Sequence, residues 1–155
     1  MTARPFGIDD PRLMEALRAY VKLLRASKAV LGRIEKRLAQ DGLTATQIGV
    51  LEGILHLGPL TQRDLGRKVL TSAGNMTDVI DKLAARGLVT RTRTRAPRDR
   101  RSVIVDLTPA GRALIEGVFP QHANDIASAM AGLNSAELAT LETLLRKLGL
   151  GAEKT

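Results

Sequence analysis

The pattern of apolar and polar residues downstream of Thr71 predicts a helix with two contrasting faces. Four apolar residues recur at i, i+3, i+4 and i+7, which places one buried stripe on a helix: Met76, Val79, Ile80 and Leu83. Thr71 or Ser72 is suited to cap its start, and Gly87 ends it. The opposite face carries mostly small or polar side chains that can approach a DNA groove: Ser72, Ala73, Gly74, Asn75, Thr77, Asp78, Asp81 and Lys82.

A basic hairpin is predicted directly after this helix. Leu88–Thr94 and Ser102–Leu107 alternate or cluster β-branched residues, which indicates two strands. Between them, Pro97 and Asp99 favour a turn. A polar-faced helix followed by a basic two-stranded wing is the plan of a winged helix-turn-helix. We therefore predict a mostly α-helical fold with a small β-hairpin wing, in which residues 41–107 form the DNA-binding module.

Two shorter helices precede the polar-faced helix and complete the helix-turn-helix. Thr44 or Thr46 caps the first of them, whose apolar residues lie within Ile48–Leu57. A Gly-Pro pair then forces a turn, and Thr61 caps the second helix over Gln62–Val69. Two short helices joined by a tight link to a polar-faced one give the expected arrangement.

The N-terminal part of the chain is predicted to form one long amphipathic helix. Asp10 caps it, Pro11 takes the favoured first position, and apolar residues keep a helical spacing to Gln40. A helix of roughly 30 residues is about 45 Å long, which is hard to bury on a monomer of this size. We therefore expect residues 10–40 to form a dimerisation arm; the alternative is an ordinary amphipathic core helix.

The C-terminal part, residues 108–150, is predicted to complete the dimerisation region. Thr108 caps a helix that Pro120 would kink or interrupt, and Asn134-Ser-Ala-Glu137 matches a capping box for a last, leucine-faced helix. Packed across a two-fold axis, the two ends would place the polar-faced helices about 34 Å apart, one turn of DNA. The expected interface residues are Leu13, Leu17, Leu141, Leu144, Leu145 and Leu148.

Charge and composition narrow the function. The formal net charge is +8, and seven arginines against one aspartate fall within Arg86–Arg101. Basic charge focused on the wing favours double-stranded DNA as the partner. The absence of cysteine excludes disulfides and thiolate metal sites. No apolar run approaches the roughly 18–20 residues of a membrane span, and no signal-peptide core is present, so we expect a cytoplasmic protein without a membrane partner.

No enzyme, cofactor or metal site is predicted. The sequence shows no recognisable set of nucleophile, base and orienting group, and no glycine loop that would cradle a phosphate. His56 and His122 are far apart in the sequence and have no neighbouring cysteine, which is a poor zinc pattern.

Several stretches of Leu43–Leu114 resemble the MarR family (multiple antibiotic resistance regulators) of dimeric winged-helix transcription factors. They are LTATQIGVLEGI, GPLTQRDLGRKV, TSAGNMTDVIDKLAARGLVTR and, most specific, the wing Asp99-Arg100-Arg101 followed by VIVDLTPAG. The tail FPQHANDIASAMAGLNSAELATLETLLRKLGL is similar to a common subgroup of that family. The resemblance covers nearly the whole chain. It implies a sequence-specific regulator that binds a pseudo-palindromic operator as a homodimer, and repression is expected because operator occupancy alone suffices for it.

The resemblance also implies roles for individual residues on DNA. The polar-faced helix would lie in the major groove and present Ser72, Gly74, Asn75, Thr77, Asp78 and Lys82. Asn75 can pair with adenine, and Thr77 can bond a phosphate or contact a thymine methyl. In the wing, Arg101 would enter the minor groove and Asp99 would orient it, beside Arg95, Arg98 and Arg100. The candidate phosphate contacts are Thr61, Gln62, Arg63 and Arg86.

Asp78 departs from the family pattern, since many members carry a basic residue there. An acidic side chain near phosphates is unfavourable, so Asp78 is expected to accept from a cytosine amino group or to pair with a neighbouring arginine.

Regulation by a small aromatic or phenolic effector is a further implication of the resemblance. The implied cleft lies between the dimer region and the DNA module, and its few polar or aromatic candidates are Tyr20, Gln47, His56 and Arg112. Packing or surface roles are the alternative for each of the four. Two other functions remain open: a winged-helix module that binds an acidic protein partner, and a metal-responsive regulator.

Overall fold

The computed structural model describes residues 10–69, 73–93 and 102–153. It confirms the predicted class, a mostly helical fold with a small sheet and the helix-turn-helix order of elements. The elements are α1 Pro11–Leu38, a 3-10 turn Ala39–Asp41, α2 Ala45–Leu57, β1 Leu60–Thr61, α3 Gln62–Lys68, α4 Ala73–Ala85, β2 Val89–Arg93, β3 Val103–Leu107, α5 Pro109–Ala129 and α6 Ser135–Ala152.

Local capping explains where the helices start. The Asp10 carboxylate accepts from the backbone N–H of Arg12 at 2.8 Å, ahead of Pro11. Thr44 rather than Thr46 caps α2, in a reciprocal capping box with Gln47. The predicted capping box of α6 is also present, with its two hydrogen bonds at 3.0 and 2.8 Å. Each of these helix starts is determined by contacts between residues at most three positions apart, which is why the sequence predicts them.

The sheet contains one strand more than the predicted hairpin. The strand order is β1-β3-β2, with antiparallel pairing throughout. Val89 lies opposite Leu107 and Arg93 opposite Val103, so the two wing strands pair along their full length. The extra strand, β1, is two residues long and pairs Leu60 with Val105. Two residues are too few to show an alternating pattern, so only the tertiary pairing reveals this strand.

The buried core confirms the apolar stripe predicted for α4. Met76, Ile80 and Leu83 are fully buried, and Val79 nearly so. They pack in one cluster with residues of α2, α3, β3 and α5: Ile48, Val50, Leu51, Ile54, Leu65, Val105 and Ile115. Burial of this stripe fixes the rotation of α4 about its axis, and its polar face is consequently turned outward.

The structure corrects two helix boundaries. The first helix ends at Leu38, two residues before the predicted end at Gln40, and continues as a 3-10 turn. Of the two outcomes predicted at Pro120, a kink or an interruption, the interruption is wrong, because α5 runs from Pro109 to Ala129 through this residue. Proline removes one amide, which would have bonded the carbonyl of Glu116; both residues are exposed, so water can satisfy that carbonyl.

None of the helices in residues 10–69, 73–93 and 102–153 combines the length and the hydrophobicity that a membrane span requires.

Candidate nucleic-acid interface

The start of α3 is joined to the exposed face of α4. The Thr61 hydroxyl accepts from the backbone N–H of Asp64 at 3.1 Å and donates to its carboxylate at 2.7 Å, which caps α3. Gln62 donates from Nε2 to Thr77 Oγ1 at 2.7 Å. Two residues predicted separately, one for phosphate contact and one for the groove, are therefore neighbours on one surface.

The predicted groove-facing residues lie together on the exposed side of α4. Gly74, Asn75, Thr77, Asp78 and Lys82 are all exposed, on the face opposite the buried stripe. An added Cβ at Gly74 would have no heavy atom within 4 Å, so the backbone there is open to close approach. The predicted Ser72 lies outside the described residues.

Asp78 pairs with a lysine, not with the arginine that was one expected partner. Lys82 Nζ lies 2.7 Å from Asp78 Oδ2, one helical turn further along α4. An i, i+4 pair of this kind is available without any tertiary contact, which favours it over a more distant arginine. Both side chains are well exposed. The pair offsets the negative charge that Asp78 would otherwise present to phosphates.

A second ion pair connects α4 to the wing. Arg91 on β2 contacts the carboxylate of Asp81 on α4. In the sequence, Arg91 is one of the seven clustered arginines, and the ten residues and the turn that separate it from Asp81 give no sign of this pair. The pair offsets the second acidic charge on this surface of α4.

The five wing residues predicted to contact DNA lie outside the described part of the chain. Arg93 and Val103 are the last and first described strand residues, and they pair directly across the two strands. The sequence between them holds Arg95, Arg98, Asp99, Arg100 and Arg101.

The two predicted phosphate-binding arginines differ in their surroundings. Arg63 is exposed on α3, and within the described ranges the structure gives it no hydrogen bond or ion pair. Arg86 follows α4, and its Nη1 donates to the backbone carbonyl of Gly42 at 2.8 Å.

The predicted dimer residues lie on open surfaces of α1 and α6. Leu13, Leu17, Leu144, Leu145 and Leu148 each leave between 41% and 58% of their surface exposed, and Leu141 is half-buried. On α1, a shallow apolar groove is lined by Leu13, Ala16, Leu17 and Tyr20. Exposed leucines grouped along two helices are typical of an interaction surface.

The four ligand candidates lie in different surroundings within the protomer. Gln47 is buried and its Oε1 accepts from Thr44 N at 3.0 Å, so it serves the α2 cap. His56 lies nine residues further along α2, roughly 13 Å away. Arg112 pairs with Glu116 on the exposed side of α5 at 3.6 Å, and Tyr20 is 57% exposed on α1.

The two histidines approach a common aromatic ring, which the sequence did not indicate. Phe119 lies between them, with ring centroids 5.7 Å from His56 and 6.2 Å from His122. Burial lowers the pKa of His122, against the opposing effect of Asp125 and Glu52. His122 Nδ1 has no hydrogen-bond partner among the described residues. Within these ranges no three His, Cys, Asp or Glu residues are arranged to hold a metal.

Known proteins are similar to this chain in sequence and in fold. A family model described as the MarR family matches residues 43–103. The HTH-type transcriptional regulator MhqR of Bacillus subtilis (strain 168) is 30% identical over 140 residues, which cover 90% of this chain and 95% of MhqR.

Two solved structures extend the comparison. One is of Bordetella bronchiseptica BpsR, whose DNA binding is regulated by 6-hydroxynicotinic acid. It superposes with a TM-score of 0.76 at 33% identity, over 85% of this chain and 98% of that one. The other is a mutant MarR from E. coli complexed with operator DNA, with a TM-score of 0.70 at 28% identity, over 91% of this chain and 99% of that one.

Proposed function

Since this chain belongs to the MarR family of transcriptional regulators, we propose that it represses transcription by binding a pseudo-palindromic operator as a homodimer. The observation that carries the proposal is the division of α4. One face is buried in the core by Met76, Ile80 and Leu83, and the other presents exposed polar groups beside two paired strands. This division leaves a helix face free to enter a groove without disturbing the core.

In the proposed complex, α4 lies in the major groove and reads bases. Asn75 offers the donor and acceptor pair that adenine requires, and Thr77 reaches phosphate or a thymine methyl. Gly74 permits close approach of the backbone, in keeping with the open space around it. Lys82 is already bonded to Asp78, so this pair contributes orientation more than charge. Ser72 completes the proposed set at the start of the helix.

The wing supplies the electrostatic part of the proposed interface. Arg101 enters the minor groove, where the negative potential attracts guanidinium groups, and Asp99 orients it through a charge-assisted pair. The ion pair between Asp81 and Arg91 supports this arrangement, because it joins α4 to β2, the strand that leads into the wing. The other proposed wing contacts are Arg95, Arg98 and Arg100.

Phosphate contacts from α3 fix the register of the module on DNA. Arg63 is exposed and available for this role. Gln62 is held against Thr77, so a phosphate bound by one of them would also meet the other. Thr61 contributes less directly, since its hydroxyl is committed to the α3 cap.

Dimerisation is proposed to proceed through the leucine faces of α1 and α6. Each exposed leucine there leaves water on pairing, and a two-fold axis applies every contact twice. A small aromatic acid is the proposed class of effector, supported by the 6-hydroxynicotinic acid that regulates BpsR.

A fluorescence-anisotropy titration tests the proposal. The probes are labelled duplexes from the DNA flanking the protein's own coding region, with random duplex as competitor, at several salt concentrations. We expect saturable binding that random DNA does not compete away. The logarithm of the association constant should fall linearly with the logarithm of the salt concentration, with a slope of about −0.9 per neutralised phosphate. Equal and weak binding to both DNAs would contradict operator recognition and would direct attention to an acidic protein partner.

A further inference from the structure

Two helix ends with the same geometry meet beside the proposed DNA interface. After α1, Gly42 has a φ of +67°, and the amides of Gly42 and Leu43 bond back to Ala39 and Leu38 at 3.1 Å each. After α4, Gly87 has a φ of +69°, and the amides of Gly87 and Leu88 bond back at 2.9 and 3.0 Å. Both are Schellman motifs, which terminate a helix through a left-handed glycine.

Arg86 bridges these two ends. It is the last residue before Gly87, and its Nη1 donates to the Gly42 carbonyl at 2.8 Å. The guanidinium therefore lies at the carbonyl end of α1, where the helix dipole favours a positive charge. Since forty-four residues separate the two partners, this bond is a tertiary contact. It fixes the end of α4 relative to the end of α1.

The start of α5 is bonded to the same segment. The Thr108 hydroxyl donates to the Gly87 carbonyl at 2.6 Å, and its amide donates to the Leu88 carbonyl at 3.1 Å. The same hydroxyl accepts from Gly111 N at 3.0 Å and so caps α5. A Cβ built on Gly111 would stand 1.9 Å from the Leu88 carbonyl oxygen. Only glycine permits this approach, because the obstructing atom belongs to the backbone.

We propose that Arg86, Thr108 and Gly111 are positioning residues that fix α4, the recognition helix of the proposed complex, to α1 and α5, the two helices of the dimerisation region that it contacts. We name Gly42, Arg86, Gly87, Leu88, Thr108 and Gly111 the three-helix junction. The inference rests on the proposed function, since α1 carries part of the proposed dimer face and α5 leads to α6. Because α4 is bonded to α1 and α5, its position follows theirs. The dimer interface therefore sets the distance between the two copies of α4 through this junction.

Loss of a positioning residue at Arg86 should have a different effect on DNA binding from loss of a phosphate contact there. A phosphate contact changes affinity for every duplex and lowers the salt slope by about 0.9 when it is lost. A positioning residue changes how strictly the spacing between two half-sites is enforced. One inserted base pair moves the half-sites by about 3.4 Å and rotates them by about 34°, so spacing is a sensitive measure.

The experiment uses the full-length chain and an inverted-repeat duplex selected by the wild-type protein from a random pool. Affinity is measured for this duplex, for versions with one base pair inserted or removed at the centre, and for a version with one half-site scrambled. Arg86→Met keeps the aliphatic part of the side chain and removes the guanidinium. Arg63→Met is the matched control, since it removes the same group from a residue proposed to contact phosphate.

For the wild-type protein we expect the altered spacing to weaken binding by about tenfold or more. Arg86→Met should reduce that penalty to about threefold or less, taken as the ratio of its own affinities for the selected duplex and for the duplexes with altered spacing. Arg63→Met should keep the full penalty and lower the salt slope by about 0.9. An unchanged spacing penalty in Arg86→Met would overturn the proposal, whatever happens to its salt slope.

A second variant tests the junction independently, and folding is measured for both. Thr108→Val removes the bond to Gly87 from the α5 side together with the hydroxyl that caps α5. Circular dichroism with sedimentation verifies that each variant stays folded and dimeric. If both junction variants retain the wild-type spacing penalty while folded, the junction does not set the helix separation. If the wild-type protein selects no inverted repeat at all, the proposed function itself fails, which is a separate result.

Discussion

Replacing Leu144 with serine should weaken the proposed dimer by a predictable amount. Leu144 leaves 58% of its surface exposed on α6. Full burial of a leucine contributes roughly 1.5–3 kcal/mol, so covering the exposed part contributes about 1–1.7 kcal/mol in each copy. The two-fold axis applies the substitution twice, giving about 2–3.5 kcal/mol in all. The dimer dissociation constant should therefore rise by about 30–300-fold.

The chain offers a matched control for this substitution. Leu57, at the end of α2, is 60% exposed and lies outside the proposed dimer faces. Leu57→Ser makes the same chemical change at almost the same exposure, and we expect it to leave the dimer unaffected. Sedimentation velocity across a concentration series measures both dissociation constants, and far-UV circular dichroism verifies that helix content is retained.

Two results would refute the reasoning. Equal weakening by both substitutions would mean that loss of an exposed leucine acts through general stability and not through an interface at α6. An unchanged dissociation constant in Leu144→Ser would mean that the leucine face of α6 stays open to solvent in the assembled protein.

Three further predictions concern DNA and pH. Arg101→Ala should weaken operator binding strongly while sedimentation still reports a dimer; unchanged affinity would disprove the wing assignment. Asn75→Ala should cost about 1–3 kcal/mol on the operator and nothing on random duplex, as measured by competition titration. Because burial lowers the pKa of His122 below 6.5, the folded chain binds fewer protons there than the unfolded chain. Its contribution to stability is complete above that value and is lost as the pH falls below it, so His122→Gln should flatten part of the fall in Tm between about pH 7 and pH 5.

Features determined by nearby residues were predictable from the sequence. The four apolar residues of α4 form one stripe at helical spacing, and all four are buried. The caps at Asp10, Thr108 and Asn134 each depend on a side chain and an amide two or three residues later. Such contacts recur in unrelated proteins because the helix itself brings the partners together.

Features that depend on tertiary approach were not predictable. β1 exists because Leu60 lies beside Val105, and Phe119 meets His56 because α2 packs on α5. The contact between Asp81 and Arg91 likewise needs β2 to turn back along α4. In each case the residues are chemically ordinary, and only the packing gives them a shared environment.

The ion pairs on the surface of α4 bear on which residues select a DNA sequence and which attract DNA of any sequence. Its two exposed acidic residues, Asp78 and Asp81, are each bonded to a cation of the same chain, Lys82 and Arg91. An isolated carboxylate near phosphate would oppose binding, whereas a paired one adds little net charge and can orient its partner. The attraction to DNA must therefore come from cations without such partners, and within the described residues Arg63, exposed on α3, is one of them. This argues that substitutions on α4 will change which sequence is bound, while substitutions at Arg63 will change how strongly any sequence is bound.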